Sequence, residues 1–503
     1  KEKTDVLAGI LRTEGIGLGD KVAFLTKRTG LLPVFMFGIL KAGAAYVPID
    51  PEFPKERILY MLTQADVRLV LYGQQELVLG DLPCRELVWD GREAESVLEV
   101  PAAEHGAQDA ANVIFTSGTT GIAKGVMLSH KNICFDLMIA PTILRVHTWD
   151  IFFSVLPIHH TYEGTAGFLM PLYKGAAIAY CEGLKHIVKN LSEVRPTMFL
   201  GVPALFETLY KTIMKNIRKQ GKEGLVKKVM ALNKVTKKVG LDLNKKLLKD
   251  ILKVFGGRMR VLISGGAAID PAILQFFNDL GFIAVQGYGL SECAPMGALN
   301  PDQHKYMRNA SVGHILPGMD VKIVDKDEDG IGEICLKGDN VMLGYYNDPE
   351  ATAKVLRDGW LYTGDYGRFD EEGFLYICGR KKNVIVAKNG KNIYPEEIEY
   401  LLLEQPLIEE VVVYGVNDKK SGDIIVKAEI FPDFAAVEEI LGHADDHQLS
   451  EALKGAIEEV NDKMPAYKRV KRFKVRHEEF EKTSTRKIRR TGSSIREEDD
   501  QEE

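Results

Sequence analysis

The chain has 503 residues, 45% of them hydrophobic, and 65 Lys and Arg stand against 71 Asp and Glu for a formal charge of -6. That length suits about three domain-sized units with real cores, and the near balance of charge points away from a nucleic-acid partner. The six cysteines (84, 134, 181, 293, 335, 378) stand singly, which argues against a zinc knuckle or a disulfide framework and for reduced thiols in a cytosolic setting. No charged-then-apolar leader is read at the start. The apolar stretch Ile151 to Tyr180 is broken by His159, His160, Glu163, Lys174, Pro157 and Pro171, against a spanning helix.

In chain order, short β-rich runs (Val22–Leu25, Val67–Leu71) first alternate with helical patterns (Leu31–Lys41, Lys55–Ala65), as βαβ units around a mostly parallel sheet do. Val113-Ile114-Phe115 then leads into TSGTTGIAKG, Thr116 to Gly125. From Lys211 to Arg260 there are 16 basic and three acidic residues, with Leu225, Val229, Leu232, Val235 and Val239 at helical spacing. Two readings fit this stretch: a solvated helix whose apolar face packs on the core, or a surface attracted to anionic lipid or an acidic partner. Val261-Leu262-Ile263 predicts a buried strand running into Ser264-Gly265-Gly266. Asp270 and Pro271 predict the cap and first turn of a helix ending near Gly281, and Ile283–Gln286 predicts the next strand. After Ile331 the pattern turns to antiparallel strands, with Asp370–Gly373 joining Tyr366–Phe369 to Phe374–Ile377 as a hairpin. Arg380-Lys381-Lys382 marks a domain boundary, followed by about 100 residues of α+β pattern and an acidic tail expected to be disordered.

Small residues after a strand let backbone N–H groups converge on an anion, and the four hydroxyls and Lys124 of TSGTTGIAKG add donors. The stretch is not the P-loop sequence, because Gly125 rather than Ser or Thr follows Lys124. In GYGLSE, Gly287 to Glu292, Tyr288 offers a ring for stacking a purine and Ser291 a hydroxyl. Glu292 offers a carboxylate suited to Mg²⁺ beside phosphates. In YTGD, Asp365 could accept from two ribose hydroxyls. Each has a plainer counterpart when read alone: a flexible turn, a core tyrosine, a solvated acid, a turn cap.

Taken in order, TSGTTGIAKG, SGGAAI from Ser264, GYGLSE, YTGD, GRKKN from Gly379, KNGKNIYPEEIE from Lys388 and TSTRKIRR from Thr483 resemble the adenylate-forming (AMP-binding) superfamily, which includes acyl-CoA synthetases, peptide-synthetase adenylation domains and luciferases. The resemblance covers nearly the whole chain. It implies an α/β fold: a large N-terminal lobe of mostly parallel α/β sheets over residues 1–380, with a small antiparallel barrel-like subdomain at about 315–380. A small mobile α+β cap follows over 381–490, then the tail 491–503. It also implies first strands ahead of residue 1, so the chain is expected to be truncated at its start.

The implied chemistry has two steps, with ATP, Mg²⁺ and coenzyme A. A carboxylate attacks the α-phosphate of ATP and pyrophosphate leaves; a thiol then takes the acyl group from the acyl-adenylate. Residue by residue, the resemblance makes Thr116, Ser117, Gly118, Thr119, Thr120, Gly121 and Lys124 the grip on the β- and γ-phosphates. It places Ser264, Gly265, Gly266 and Ala267 along the adenine, makes Tyr288 the stacking ring and Ser291 a phosphate-side hydroxyl, and makes Glu292 the metal ligand. Gln286, Gly287, Gly289 and Ile377 complete the nucleotide set, and Asp365 with Arg380 forms a ribose clamp. Lys487 resembles the lysine bridging carboxylate and α-phosphate, Lys382 the hinge of the rotating cap, and Gly390 the glycine that makes room for pantetheine. Thr116, Glu292 and Lys487 are thereby the catalytic candidates. The pattern departs from the usual one at Arg486 (commonly Gly), Phe480-Glu481 (commonly Leu-Pro) and Asn383 (often Asp).

LPIHHTYEG from Leu156, GVPALFETL from Gly201 and the basic insert before SGGAAI resemble the fatty acyl-CoA synthetase branch, which puts His160 and Gly201 on the substrate side. The resemblance implies a fatty acid-CoA ligase for medium to long chains, cytoplasmic, with the basic segment 211–260 as a peripheral contact to an anionic inner membrane face. Two alternatives stand beside it. One is loading of a carrier-protein phosphopantetheine, since AYVPIDPEFPKERILYML resembles peptide-synthetase domains; the other is an inactive nucleotide-binding relative. Lys468, Arg469, Lys471 and Arg472 could meet the phosphates of CoA or form a solvated surface.

Overall fold

The strand-helix alternation that begins near residue 20 builds two sheets. The computed structural model describes residues 1–91, 102–116, 123–219, 221, 223–236, 249–387, 391–418, 424–483 and 487–490. By contacts the chain forms two units, Lys1–Val321 with Leu336–Leu361, and Lys322–Cys335 with Tyr362–Glu503. Strand Leu375–Arg380, and the parts of strands Asp320–Val324 and Gly332–Lys337 that fall within residues 322–335, therefore group with the C-terminal residues.

In the first unit, β1 (Lys21–Leu25), β2 (Ala45–Pro48), β3 (Leu69–Tyr72), β4 (Arg85–Val88), β5 (Ala110–Thr116) and β6 (Lys124–Ser129) share a sheet with the short strand Gly344–Tyr345. The order is Gly344–Tyr345, β6, β5, β2, β1, β3, β4 among the described residues. Strands β1 to β5 meet in parallel, while β6 runs antiparallel to β5. Strands β2 and β3 are buried along their whole length, which is why they read as continuous apolar runs rather than alternating ones.

The second sheet holds β7 (Ile151–Ser154), β8 (Ala177–Tyr180), β9 (Met198–Gly201), β10 (Val261–Ser264), β11 (Ile283–Gly289), β12 (Met296–Leu299) and β13 (His314–Ile315). Its order is β13, β12, β11, β10, β9, β7, β8, parallel from β8 to β11 and antiparallel beyond. The helix Pro271–Leu280 joins β10 to β11 as the sequence predicts. The Asp270 carboxylate accepts from the Ala272 N–H, Pro271 occupies the first turn, and Gly281 ends the helix at φ +103°, where a side chain would be strained. This helix presses Phe277 into a cluster with Phe206, Phe255 and Phe282.

The basic region forms helices Pro203–Lys219 and Glu223–Thr236, but its apolar residues do not make one stripe. Val226 and Val229 are buried against the core, whereas Leu225 and Leu232 are 57% and 54% exposed. Spacing cannot tell Leu225 and Leu232 from Val229, because i, i+4 and i+7 share one helical face, and only packing decides which of them meets the core. Val239 lies outside the described residues.

Strand Trp360–Phe369, whose residues from Tyr362 on belong to the second unit, runs antiparallel to Leu375–Arg380. Asp370 closes the turn by accepting from the Glu372 and Phe374 N–H groups. Further on, Ile408–Asn417, Ile424–Pro432 and Val470–Val475 form a three-stranded sheet. It is covered by helices Pro395–Leu403 and Asp446–Asn461, with Ile398, Leu402, Val413, Ile430, Leu453 and Val460 in the core. The acidic tail lies outside the described residues, and all six cysteines are free thiols.

Candidate active site

Parallel register lines up three strands. Gly201 pairs with Ser264 and Ser264 with Gln286, so these three residues stand abreast where β9 and β10 finish and β11 runs on. Carboxyl ends of strands in open α/β sheets are where ligands bind, because loops diverge there and leave a crevice. Gly265 follows Ser264, and its N–H donates to the Gly201 carbonyl at 3.1 Å. A Cβ on Gly265 would sit 2.8 Å from the Tyr162 ring, so only glycine lets that ring close over the turn. Ala267 and Gly266 are exposed, while Ser264 is buried and its Oγ has no partner among the described residues. Gln286 is held by donating its side-chain amide to the Asn309 carbonyl at 2.6 Å.

Gly287, Tyr288 and Gly289 continue β11 against β12. At Gly289 a Cβ would fall 1.8 Å from the Pro295 carbonyl oxygen, which makes glycine obligatory for the turn into Ser291-Glu292. The Ser291 hydroxyl accepts from Thr161 at 3.0 Å. The Glu292 carboxylate accepts from the Tyr345 hydroxyl at 2.8 Å, and its carbonyl accepts from the Met342 N–H at 2.9 Å. Lys124 opens β6 opposite Thr116, with its ammonium 4.9 Å from the Tyr345 ring centroid. Ser117, Gly118, Thr119, Thr120 and Gly121 lie outside the described residues. Mg²⁺ typically takes one or two carboxylates and fills its octahedron with phosphate and water oxygens. Among the described residues no cluster of three or more His, Cys, Asp or Glu could hold a metal alone. A single carboxylate held by a neutral hydroxyl, as at Glu292, fits that pattern.

The segment after β7 carries further polar groups beside the substrate-side candidate His160. Tyr162–Leu169 is a π-helix, a rare conformation that often marks functional positions. Tyr162 donates its hydroxyl to the Ile263 carbonyl at 3.0 Å. Glu163, 1% exposed, accepts from the Ser154 hydroxyl, and its second oxygen has no partner among the described residues. Burial pushes its carboxyl up to about 7 against the opposing pull of Ser154 and Arg28. His159 is buried beside Phe53, 3.6 Å from Asp50, and burial with Arg57 and Arg28 lowers its pKa to about 4. His160, the substrate-side candidate, is half-buried with its ring 4.4 Å from that of His159.

In the second unit Asp365 and Arg380 face each other across the hairpin, joined at 2.7 Å. Thr363 props this pair: its hydroxyl accepts from the Asp365 N–H and its carbonyl from the Arg380 guanidinium. Ile377 pairs with Gly367, two positions on from the Asp365 that pairs with Arg380, and a register shift between them leaves Ile377 on the same face as Arg380. Lys487 is exposed, with backbone bonds to Thr483 on both its N–H and C=O. Although the residue is exposed overall, desolvation around its ammonium, and then Arg380, lower its pKa, with Asp365 opposing. Next to it, Ile488 packs with Val412, Phe431 and Phe480, and Arg490 pairs with the buried Glu399.

The sequence departures find partners here. Phe480 is buried and donates its N–H to Glu410 at 3.0 Å, and the Glu481 carbonyl accepts from Arg489 at 2.8 Å. Asn383 donates its side-chain amide to Glu396 at 2.6 Å, a role that the more usual aspartate could not fill. Arg486 and Gly390 lie outside the described residues. Lys382 stands in a one-turn 3₁₀ helix with its side chain exposed overall, while partial desolvation of its ammonium, followed by Arg380 and Arg490, lowers its pKa. Of the basic cluster proposed for CoA, Lys468, Arg469 and Arg472 are paired with Glu397, Asp462 and Asp418.

Compared with known proteins, residues 1–346 match the sequence profile described as AMP-binding enzyme, and residues 382–496 that of the AMP-binding enzyme C-terminal domain. The chain is 27% identical over 482 residues to a long-chain-fatty-acid–CoA ligase of Salmonella typhimurium, covering 84% of this chain and 79% of that protein. It is 33% identical over 331 residues to fatty acyl-CoA synthetase B of Dictyostelium discoideum, covering 61% of this chain and 48% of that one. Among solved structures, ATP-bound MatB from Rhodopseudomonas palustris is similar with a TM-score of 0.76 at 25% identity, over 97% of this chain and 90% of that one.

Proposed function

Because the chain belongs to the AMP-binding enzyme family, we propose that this acid–thiol ligase is an ATP-dependent fatty acid-CoA ligase for medium to long chains. It would act through an acyl-adenylate and release pyrophosphate and AMP. The observation that carries the reading is the row Gly201, Ser264, Gln286, abreast where β9 and β10 end and β11 runs on through Tyr288 toward Ser291 and Glu292. The substrate class leans on the relatives named for long-chain fatty acids.

In this reading a fatty acid carboxylate oxygen bonds to the α-phosphorus of ATP, and the bond to the bridging oxygen of pyrophosphate breaks. Negative charge gathers during transfer, so fixed cations and N–H donors supply most of the catalysis. Thr116 and Lys124, with the hydroxyls between them, hold the β- and γ-phosphates. Glu292 would hold Mg²⁺, which neutralises phosphate charge when bound. Asp365 and Arg380 take the ribose, and the Lys487 ammonium draws carboxylate and α-phosphate together, a task suited to a compact charge on a long stem. In the second step the CoA thiol attacks the acyl carbonyl, AMP leaves, and the thiol proton passes to solvent. A cap hinged at Lys382 would change the residues presented between the two steps.

CoA as acceptor rests on the relatives rather than on the basic cluster, three of whose members are already paired. Peripheral contact of a cytoplasmic enzyme with an anionic membrane fits the exposed Leu225 and Leu232 on a lysine-rich helix. Among the described residues no helix is long and apolar enough to cross a membrane. The test is thioester formation from ATP and acids of graded length, with free CoA or a carrier protein as acceptor. Thioester from medium to long acids and CoA supports the reading; transfer to the carrier protein alone, or no fatty-acid thioester at all, overturns it.

A further inference from the structure

Tyr345 ends the edge strand Gly344–Tyr345 of the first sheet, and Tyr346 follows it in a turn. Tyr346 accepts from the Lys21 ammonium at 2.6 Å and donates to Asp66 at 3.1 Å. Tyr345, 8% exposed, meets two candidate nucleotide groups at once. Its hydroxyl donates to Glu292 at 2.8 Å, and its ring lies 4.9 Å from the Lys124 ammonium, inside the roughly 6 Å reach of a cation–π contact.

The segment carrying Tyr345 is tied down on several sides. Tyr345 pairs with Val126 on β6, and its N–H donates to the Thr352 hydroxyl at 2.9 Å. The Asn340 side-chain amide donates to the Cys293 and Met296 carbonyls and to the buried Asp136, which itself accepts from the Met296 N–H. The Met342 N–H donates to the Glu292 carbonyl. The strap 340–345 thus fixes the backbone at Glu292 and just after it, and Tyr345 reaches its carboxylate. A hydroxyl is the right donor for this task, because a lysine or arginine in its place would cancel the charge that a metal needs.

We propose that Tyr345 is a positioning residue of the adenylation site, orienting the Glu292 carboxylate for a nucleotide-bound Mg²⁺ through its hydroxyl and seating the Lys124 ammonium with its ring. This rests on the ligase reading above and adds a residue that the motifs left out. Partners that orient a metal-binding carboxylate typically cost about tenfold or more in metal affinity when removed.

The test uses Mn²⁺ as probe, its binding to the full chain in the presence of ATP followed by the loss of free-ion signal in electron paramagnetic resonance. Tyr345→Phe keeps the ring and is expected to weaken Mn²⁺ binding about tenfold in the wild-type background and hardly at all in a Glu292→Gln background, as coupled residues do. Unchanged affinity, or equal loss in both backgrounds, overturns the proposal. Should Tyr345→Phe fail to fold, Glu292→Asp keeps the charge but shortens it away from the hydroxyl, and Mn²⁺ affinity equal to wild type in that variant overturns it as well. Fatty-acid-dependent ATP/pyrophosphate exchange in the unaltered chain separates the two readings. Its absence overturns the ligase function, whereas exchange with Mn²⁺ binding untouched in Tyr345→Phe overturns only the role of Tyr345.

Discussion

Replacing Glu163 by Gln should flatten part of the pH dependence of stability of the first unit. In the folded chain the carboxyl is displaced from 4.5 to about 7, chiefly by burial, with Ser154 and Arg28 opposing. A carboxyl whose folded pKa is raised lends stability that is fully present below the unfolded value and lost as pH rises through the folded one. The wild type should therefore lose about 3 kcal/mol between those two pH values, a loss that a side chain without a titrating proton does not suffer. His159 titrates with the opposite sign, because its folded pKa is lowered to about 4; stability tied to it falls as pH drops below the ordinary histidine range. That contribution is common to both proteins, so the difference between them isolates Glu163. Trp89, Trp149 and Trp360 are the three tryptophans of the chain and all belong to the first unit, so their fluorescence during urea unfolding at a series of pH values reports the right transition. Stability curves of wild type and Glu163→Gln that stay parallel from pH 4.5 to 7 would refute the assignment of a buried, proton-holding carboxyl.

Lys487→Ala should abolish acyl-adenylate formation yet spare thioester formation from supplied acyl-adenylate, measured as separate half-reactions; equal loss of both would contradict the role given to the lysine. Because the pKa of Lys487 is lowered, its cation is lost at a lower pH than an ordinary lysine, so the alkaline limb of adenylation should fall below the usual lysine range. Lys487→Arg should move that limb upward in whatever activity it retains. Asn383→Asp sets a carboxylate against Glu396, where the amide now donates at 2.6 Å. A destabilisation of the second unit of about 1–3 kcal/mol at neutral pH, recovered on acidification into the carboxylate range, is expected from thermal melts.

Much of the nucleotide side could be read from the chain because its signals are local. The strand into Ser264, the capped helix from Asp270 and the strand to Gln286 each announce themselves within a dozen residues, and parallel pairing then aligns their ends without further instruction. The hairpin that sets Asp365 opposite Arg380 is local for the same reason. What the motifs omit comes from contacts between distant segments. Tyr345 meets Glu292 from 53 positions away, and Thr161 meets Ser291 from 130, with nothing at either end to advertise the pairing. The π-helix at Tyr162 has no distinct periodicity signature, so Glu163 read only as an interruption of an apolar run. The split of Leu225 and Leu232 from Val229 shows the same boundary: helical spacing found the helix, and only packing chose its buried residues.

Incubating the full chain with α-labelled ATP, Mg²⁺ and a fatty acid, without any thiol, tests the central claim most directly. The account predicts label transferred to an acyl-adenylate, matched by released pyrophosphate and dependent on the acid. Release of pyrophosphate or ADP regardless of acid, or no labelled adduct across short, medium and long acids, would contradict it.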